Sequence, residues 1–439
     1  MPRFSVEHMD RPTDPSVDFY RYAVGRWLAT HPVPADKSRW GAFGELTQRN
    51  FELLRGVLEA SARDAGPASP AVQRLVGDFY ASATDTERIE QLGMDPLREE
   101  LDRVARIRTV DDLLRTVARF HRMGVGGYFS SYVYPDKKDS STYAFYLGQG
   151  GLSMPDREYY LSERFAPQAE AFRRHVSKGF ALLGEGPDGA AASAATVVGI
   201  ETALARASRS RTDLRDEEKN YHKVRREDLV GNHPHTPWAA YLEERELPEV
   251  PAVVVGQPEF LETLDRLLEE RPISDGQTYL RWHLLHASAP FLHDAVERED
   301  FEFFHRTLMG QQEPEPRWLR ATRVLDGAIG EAVGQLYVER YFPPEAKTRM
   351  TELVDDLRAV FRDRLAQLSW MTEGTRQKAL AKFDRFTAKI GHPDTFREYS
   401  SIRIDRGDYL GNVRRSEEFE SHRQAVRVGG PVDRTEWGM

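Results

Sequence analysis

The chain has 439 residues, 40% of them hydrophobic and 30% charged, with a formal net charge of -9. A chain of this size can bury a large core, so disorder is not the default, and the acidic balance offers nucleic acid no basic surface. Cysteine is absent, which excludes disulfides, thiolate nucleophiles and Cys-ligated metals.

Residues 1–13 read as a tail, with no signal-peptide hydrophobic region in MPRFSVEHMDRP. No later apolar run approaches the ~20 residues that span a bilayer, so neither a membrane nor export is expected. From Asp14 to Leu46 the chain crowds Phe19, Tyr20, Tyr22, Trp27, Trp40 and Phe43 around His31-Pro32-Val33-Pro34 and sets Arg39 among them. Large aromatics want burial while proline fixes the backbone, so this stretch reads as an arm folded onto something larger. Helical spacing follows at Phe51, Leu53, Leu54, Val57 and Leu58, stopping before Gly66-Pro67, then from Pro70 through Tyr80. A further helix starts at the Thr109 to Asp112 capping box.

The exception is Gly126 to Gly151, where aromatics on both sides of Pro135-Asp136-Lys137-Lys138-Asp139-Ser140 predict a hairpin. Helical patterns resume over 166–183 and 190–207, and Val250 to Gln257 reads as a short strand. The stripe Val324, Leu325, Ala328, Ile329, Ala332, Val333, Leu336, Tyr337 predicts a central helix, with Gly327, Gly330 and Gly334 expected to touch neighbouring helices. Past Phe342-Pro343-Pro344, the positions Met350, Leu353, Val354, Leu357, Val360, Phe361, Leu365 and Leu368 predict a long amphipathic partner, antiparallel to it. With no repeat or linker, 14–439 is expected to be one continuous unit. Its fold class is mainly α, a large multi-helix domain with a small β-hairpin element.

Several runs share a further property. Asp14-Pro15, Asp18-Phe19-Tyr20, Pro32-Val33-Pro34, Ser38-Arg39-Trp40-Gly41, Gly151 to Leu161, Tyr279 to Ala287, Lys389 to Pro393 and Pro431 to Trp437 resemble, in order, motifs of the neprilysin and endothelin-converting-enzyme family of zinc metallopeptidases. The resemblance implies a helical cap domain that encloses a chamber for small peptides, with the arm of 14–46 packed on a catalytic zinc domain. In that family the arginine matching Arg39 reaches the carboxyl terminus of the substrate, so Arg39 is the substrate-binding candidate. The alternative for Arg39 is a structural salt bridge. Ser16 and Val24 stand where secreted relatives carry cysteine, which implies a reducing, cytoplasmic setting.

Zinc peptidases of this class need two histidines four apart on a helix with a glutamate between them, and none of the 13 histidines is so placed. His283 and His286, three apart in an apolar context, and His233 and His235, flanking Pro234, read as incidental pairs. Gly184-x-Gly186-x-x-Gly189 has dinucleotide-fingerprint spacing but follows a helix, so an inter-helix loop is expected. The expectation is therefore the chamber-forming part of a zinc metallopeptidase, with no catalytic residue or metal ligand in this chain and no activity alone. Zinc belongs to the complete enzyme, through a HExxH-bearing subunit or a C-terminal continuation. The alternative is a catalytically silent peptide-binding protein.

Overall fold

The apolar periodicity is realised as helices over most of residues 5–437, the part described by the computed structural model. Those that carry the argument are α1 (Phe19–Thr30), α2 (Ala42–Asp64), α3 (Ala71–Thr84), α4 (Val110–Arg122), α5 (Ala166–Leu182), α6 (Pro187–Ala207), α7 (Ile273–Ser288), α8 (Arg317–Tyr341), α9 (Pro344–Gln367), α10 (Glu373–Phe383) and α11 (Tyr409–Ala425). Local chemistry sets several boundaries. Thr109 Oγ1 accepts the Asp112 amide at 3.1 Å while the Asp112 carboxylate accepts the Thr109 amide at 3.0 Å, so two orphan donors at the start of α4 are satisfied reciprocally. The glycine-rich run joins α5 to α6: Gly184 takes φ +92° just past α5, and Pro187 opens α6.

The expected hairpin forms as β1 (Phe129–Pro135) and β2 (Tyr143–Gln149). It belongs to a four-stranded sheet of order β1-β2-β4-β3, with β3 at His222–Arg225 and β4 at Ala252–Val255. The β2–β4 pair is parallel, Tyr146 opposite Val254, and the other pairs are antiparallel. Asp136 builds the hairpin turn, its carboxylate accepting the Lys138 amide at 2.9 Å, the Tyr221 hydroxyl at 2.8 Å and the Lys223 ammonium at 2.8 Å. Burial opposes its charge, but these donors outweigh that and hold the carboxyl down at about 2.

Three large apolar clusters fill the molecule, beside a small one of Ala144, Tyr146 and Val254 on the sheet. The largest joins α4, α6 and α7 to the sheet, with the Phe129 ring edge-on to Trp238 and Tyr241 at 5.0 and 4.9 Å. A second unites α2, α3 and α8 through Val57, Leu58, Val76, Phe79, Leu325 and Ile329. Here α2 and α3 approach so closely that a Cβ at Gly77 would lie 2.3 Å from the Ser61 carbonyl oxygen, so only glycine fits. The third packs α5 and α6 around Trp282 and Phe303.

Two expectations are corrected. A Cβ at Gly327 or Gly334 would meet nothing within 4 Å, and at Gly330 only the Asp326 carboxylate of the same helix, so these glycines line an open face rather than a helix contact. The buried stripe of α8 runs along its other side, and the helix kinks at Ile329 (φ -135°, ψ 37°), beside Gly330. Nor does α9 return along α8. Pro343, extended at φ -65° and ψ 147°, sends it outward, where its packing neighbour is α10.

Candidate peptide-binding surface

The arm is built from local polar contacts rather than burial. The Asp14 carboxylate accepts the Ser16 amide at 2.9 Å and hydroxyl at 2.8 Å, and Asp18 caps α1 by accepting the Arg21 amide at 2.9 Å. None of the residues of α1 is buried. Trp27 stacks on His31 at 4.7 Å, closing the turn into Pro32-Val33-Pro34. A short clip then fixes the arm to the body. The Ala35 carbonyl accepts the Gln312 and Glu313 amides at 3.0 Å each, Gln311 donates to the Asp36 carbonyl at 3.1 Å, and Lys37 pairs with Glu315 at 2.7 Å.

Arg39 follows this clip directly, and its side chain is exposed. Among the described residues it makes no ion pair and no side-chain hydrogen bond, while Lys37 makes the structural pair to the body. Trp40, half-buried, lies against Gly44, where a Cβ would come 3.1 Å from its ring. Phe43, on the first turn of α2, is 86% exposed. Thus the arm presents an exposed guanidinium just past a pinned backbone, an arrangement able to meet a carboxylate in a bidentate fork.

The second open surface is α9 with α10. Neither helix has a buried residue, although the expected stripe is present: Met350, Leu353, Leu357, Val360 and Phe361 all face solvent. The two helices hold each other through Phe361 on Phe383, at 5.3 Å, and through Arg362 on Asp384, at 3.0 and 3.3 Å. Trp370 between them is 73% exposed. This apolar exposure is clustered rather than scattered.

The C-terminal end differs from this surface and carries a polar clamp. Glu436 receives Arg423 at 2.5 Å, Arg397 at 3.3 Å and also Arg427, while Glu420 and Glu331 complete the charge balance around Arg397. Burial opposes the charge on Glu436, but Arg427 and Arg423 hold its carboxyl below the usual range. Backbone pairing of 429–432 with Ser141 and Tyr143 extends the hairpin edge. This cluster draws charges from distant segments: Glu436 lies in the Pro431 to Trp437 string, but nothing in that string named its arginine partners.

The structure separates the histidine pairs. His283 is buried with its Nε2 3.3 Å from Glu201, whereas His286 faces Asp300, also at 3.3 Å. The ring of His233 contacts the Leu229 carbonyl at 2.9 Å, and His235 lies 3.5 Å from Glu269. Among the described residues no group of three or more His, Cys, Asp or Glu could hold a metal ion, so these side chains do not fit a zinc site. No described helix is long and apolar enough to cross a membrane.

A mainly helical chain with a small mixed sheet and an aromatic arm that presents Arg39 has the neprilysin-like peptidase fold. The chain belongs to peptidase family M13, whose N-terminal family model it matches over residues 15–393. It is 28% identical to an endothelin-converting enzyme homolog of Locusta migratoria, over 98% of this chain and 63% of that protein. Against human endothelin-converting enzyme 1 the identity is 28%, over 99% of this chain and 58% of the relative. The chain therefore spans about three fifths of the length of these curated relatives. Among solved structures, the inhibitor complex of the Mycobacterium tuberculosis zinc metalloprotease ZMP1 superposes with a TM-score of 0.92 at 35% identity, covering 99% of this chain and 66% of that one. PepO of Lactobacillus rhamnosis shares the fold, with a TM-score of 0.81 at 22% identity.

Proposed function

We propose that this chain forms the substrate chamber of a neprilysin-like zinc metallopeptidase acting on small peptides. A HExxH-bearing partner, either a C-terminal continuation or a separate subunit, completes the enzyme. The observation that carries this reading is the unburied apolar stripe of α9, packed on an equally unburied α10, whereas α2, α3 and α8 bury theirs in the second cluster. Burying a side chain such as Leu357 or Phe361 is worth about 1.5–3 kcal/mol, so leaving the stripe in water is costly unless a partner covers it. The open glycine face of α8 and the aromatic arm extend the surface such a partner would cover.

Within this reading Arg39 receives the carboxyl terminus of the peptide, and this chain binds and orients substrate. Because the described side chains do not fit zinc, the metal of the complete enzyme is assigned to the partner, and no bond-breaking step is assigned here. The lack of cysteine supports work in a reducing, cytoplasmic compartment.

The test is reconstitution. Mixed with a HExxH-bearing half of an M13 peptidase, the chain should yield stoichiometric zinc and hydrolysis of short peptides, and alone it should yield neither. In the reconstituted enzyme Arg39→Ala should raise KM about tenfold or more for peptides with a free carboxyl terminus and leave amidated ones unchanged. Tight zinc binding by the chain alone would overturn the reading. Peptide binding without hydrolysis in every mixture would establish the silent binder instead.

A further inference from the structure

A groove of about 1000 Å³ lies where α8 gives way to α9, walled on its far side by the loop at His392. Its floor is apolar, made by Val338, Tyr341, Phe342, Pro343 and Pro344. The wall is preformed. Gly391 takes φ +76°, and a Cβ there would strike the Phe342 ring at 2.9 Å, while His392 sits edge-on to the same ring at 5.7 Å. Lys347 ties this loop to α9, donating to the His392 carbonyl at 3.1 Å and to Asp394 at 2.7 Å.

The charges on the groove are unequal. Lys347, which lines it, is neutralised by Asp394. Glu352 and Asp355, with Thr348 and Thr351, lie on the groove side of α9, and Glu339 joins them from the end of α8. None of these three carboxylates has an ion-pair partner among the described residues, and the remaining cation of the lining is Arg340. An apolar floor under a carboxylate-rich rim suits an apolar side chain adjoining an ammonium or guanidinium group, and it repels an acidic neighbour.

We infer that this groove is a docking site for a short peptide segment in which an apolar residue stands beside a lysine, an arginine or a free amino terminus. The inference deepens the peptide-chamber reading and rests on it for the source of the peptide. Binding by the chain itself needs no catalytic half, so the two stand or fall separately: failed reconstitution with intact groove binding would sink only the chamber reading.

The experiment uses the full chain and two acetylated, amidated pentapeptides that differ only in a central lysine or glutamate between leucines, with calorimetry or fluorescence anisotropy as readout. The lysine peptide should bind more tightly, by about tenfold, and lose affinity as salt is raised. The double variant Glu352→Gln/Asp355→Asn should bind it about fivefold more weakly, two rim pairs being lost. Both residues are exposed without a described ion pair, so the thermal midpoint of the variant should match the wild type and separate lost binding from lost folding. Equal binding of the two peptides, or a folded double variant that binds as the wild type does, would overturn the inference. A lysine peptide that fails to bind at all would overturn it too. Replacing the acetyl group with a free amine on the glutamate peptide should restore part of the affinity if the groove accepts an amino terminus.

Discussion

Two consecutive helices of almost equal length, α8 with 25 residues and α9 with 24, meet opposite fates. Each carries an apolar stripe at helical spacing. In α8 it enters the second cluster, where Leu325 and Ile329 are fully buried against α2 and α3. In α9 the stripe faces water. Periodicity states that a face is there to be buried, and the rest of the chain decides whether anything buries it. What distinguishes the two is partners: α2 and α3 supply a packed surface with close approach at Gly77, whereas the extended Pro343 carries α9 away from it.

The contrast is sharpest at Leu325. Truncating it to alanine should leave a cavity among α2, α3 and α8 and cost about 2–5 kcal/mol, read from denaturant unfolding of the isolated chain. A loss below about 1 kcal/mol would mean that α8 is no better packed than α9, and the contrast would fail.

A smaller effect is expected where the return from α9 and α10 is pinned. Arg397, Arg423 and Arg427 converge on Glu436, joining that return to α11 and the hairpin edge. Glu436→Gln should cost about 1–2 kcal/mol, below the value for breaking a fully buried pair because glutamine still accepts hydrogen bonds and the site is partly open. The pH dependence has a definite sign. Glu436 and Glu420 are both held below the usual carboxylate range, burial opposing the shift and their arginine partners producing it. The unfolded chain therefore binds more protons in this window. The contribution is complete above the unfolded value of about 4.3 and is lost as pH falls through the lower folded values. Thermal midpoints across pH 3 to 6 should fall less steeply in the variant, and identical slopes would show that the clamp contributes nothing.

What could be read in the sequence was what local chemistry writes: the Thr109 cap, the hairpin around Asp136, the stripe of α8, and the strings that single out Arg39. What could not be read was tertiary. The strand His222–Arg225 is short and charged, so it lacks the apolar alternation that signals a strand, and its pairing is set by β4. The glycines of α8 were misplaced because spacing gives a face without saying what lies opposite it. The Glu436 clamp collects charges from separate segments. Thr348, Thr351, Glu352 and Asp355 do recur at helical spacing opposite the apolar stripe of α9, a signal that could have located the groove.

The smallest expected effect completes the contrast from the α9 side. Leu357 is 61% exposed at the middle of its helix. Leu357→Ala should change the stability of the isolated chain by less than about 0.5 kcal/mol, since little apolar surface leaves the core and alanine is the better helix former. Its value lies in the second condition. With the HExxH-bearing half present, the same substitution should weaken association by about 1 kcal/mol or more, because a side chain that was idle in the single chain becomes interfacial. A multi-kcal/mol loss in the isolated chain would instead mean that α9 is already covered in solution, for instance by self-association. The two helices would then differ in what buries them, not in whether they are buried.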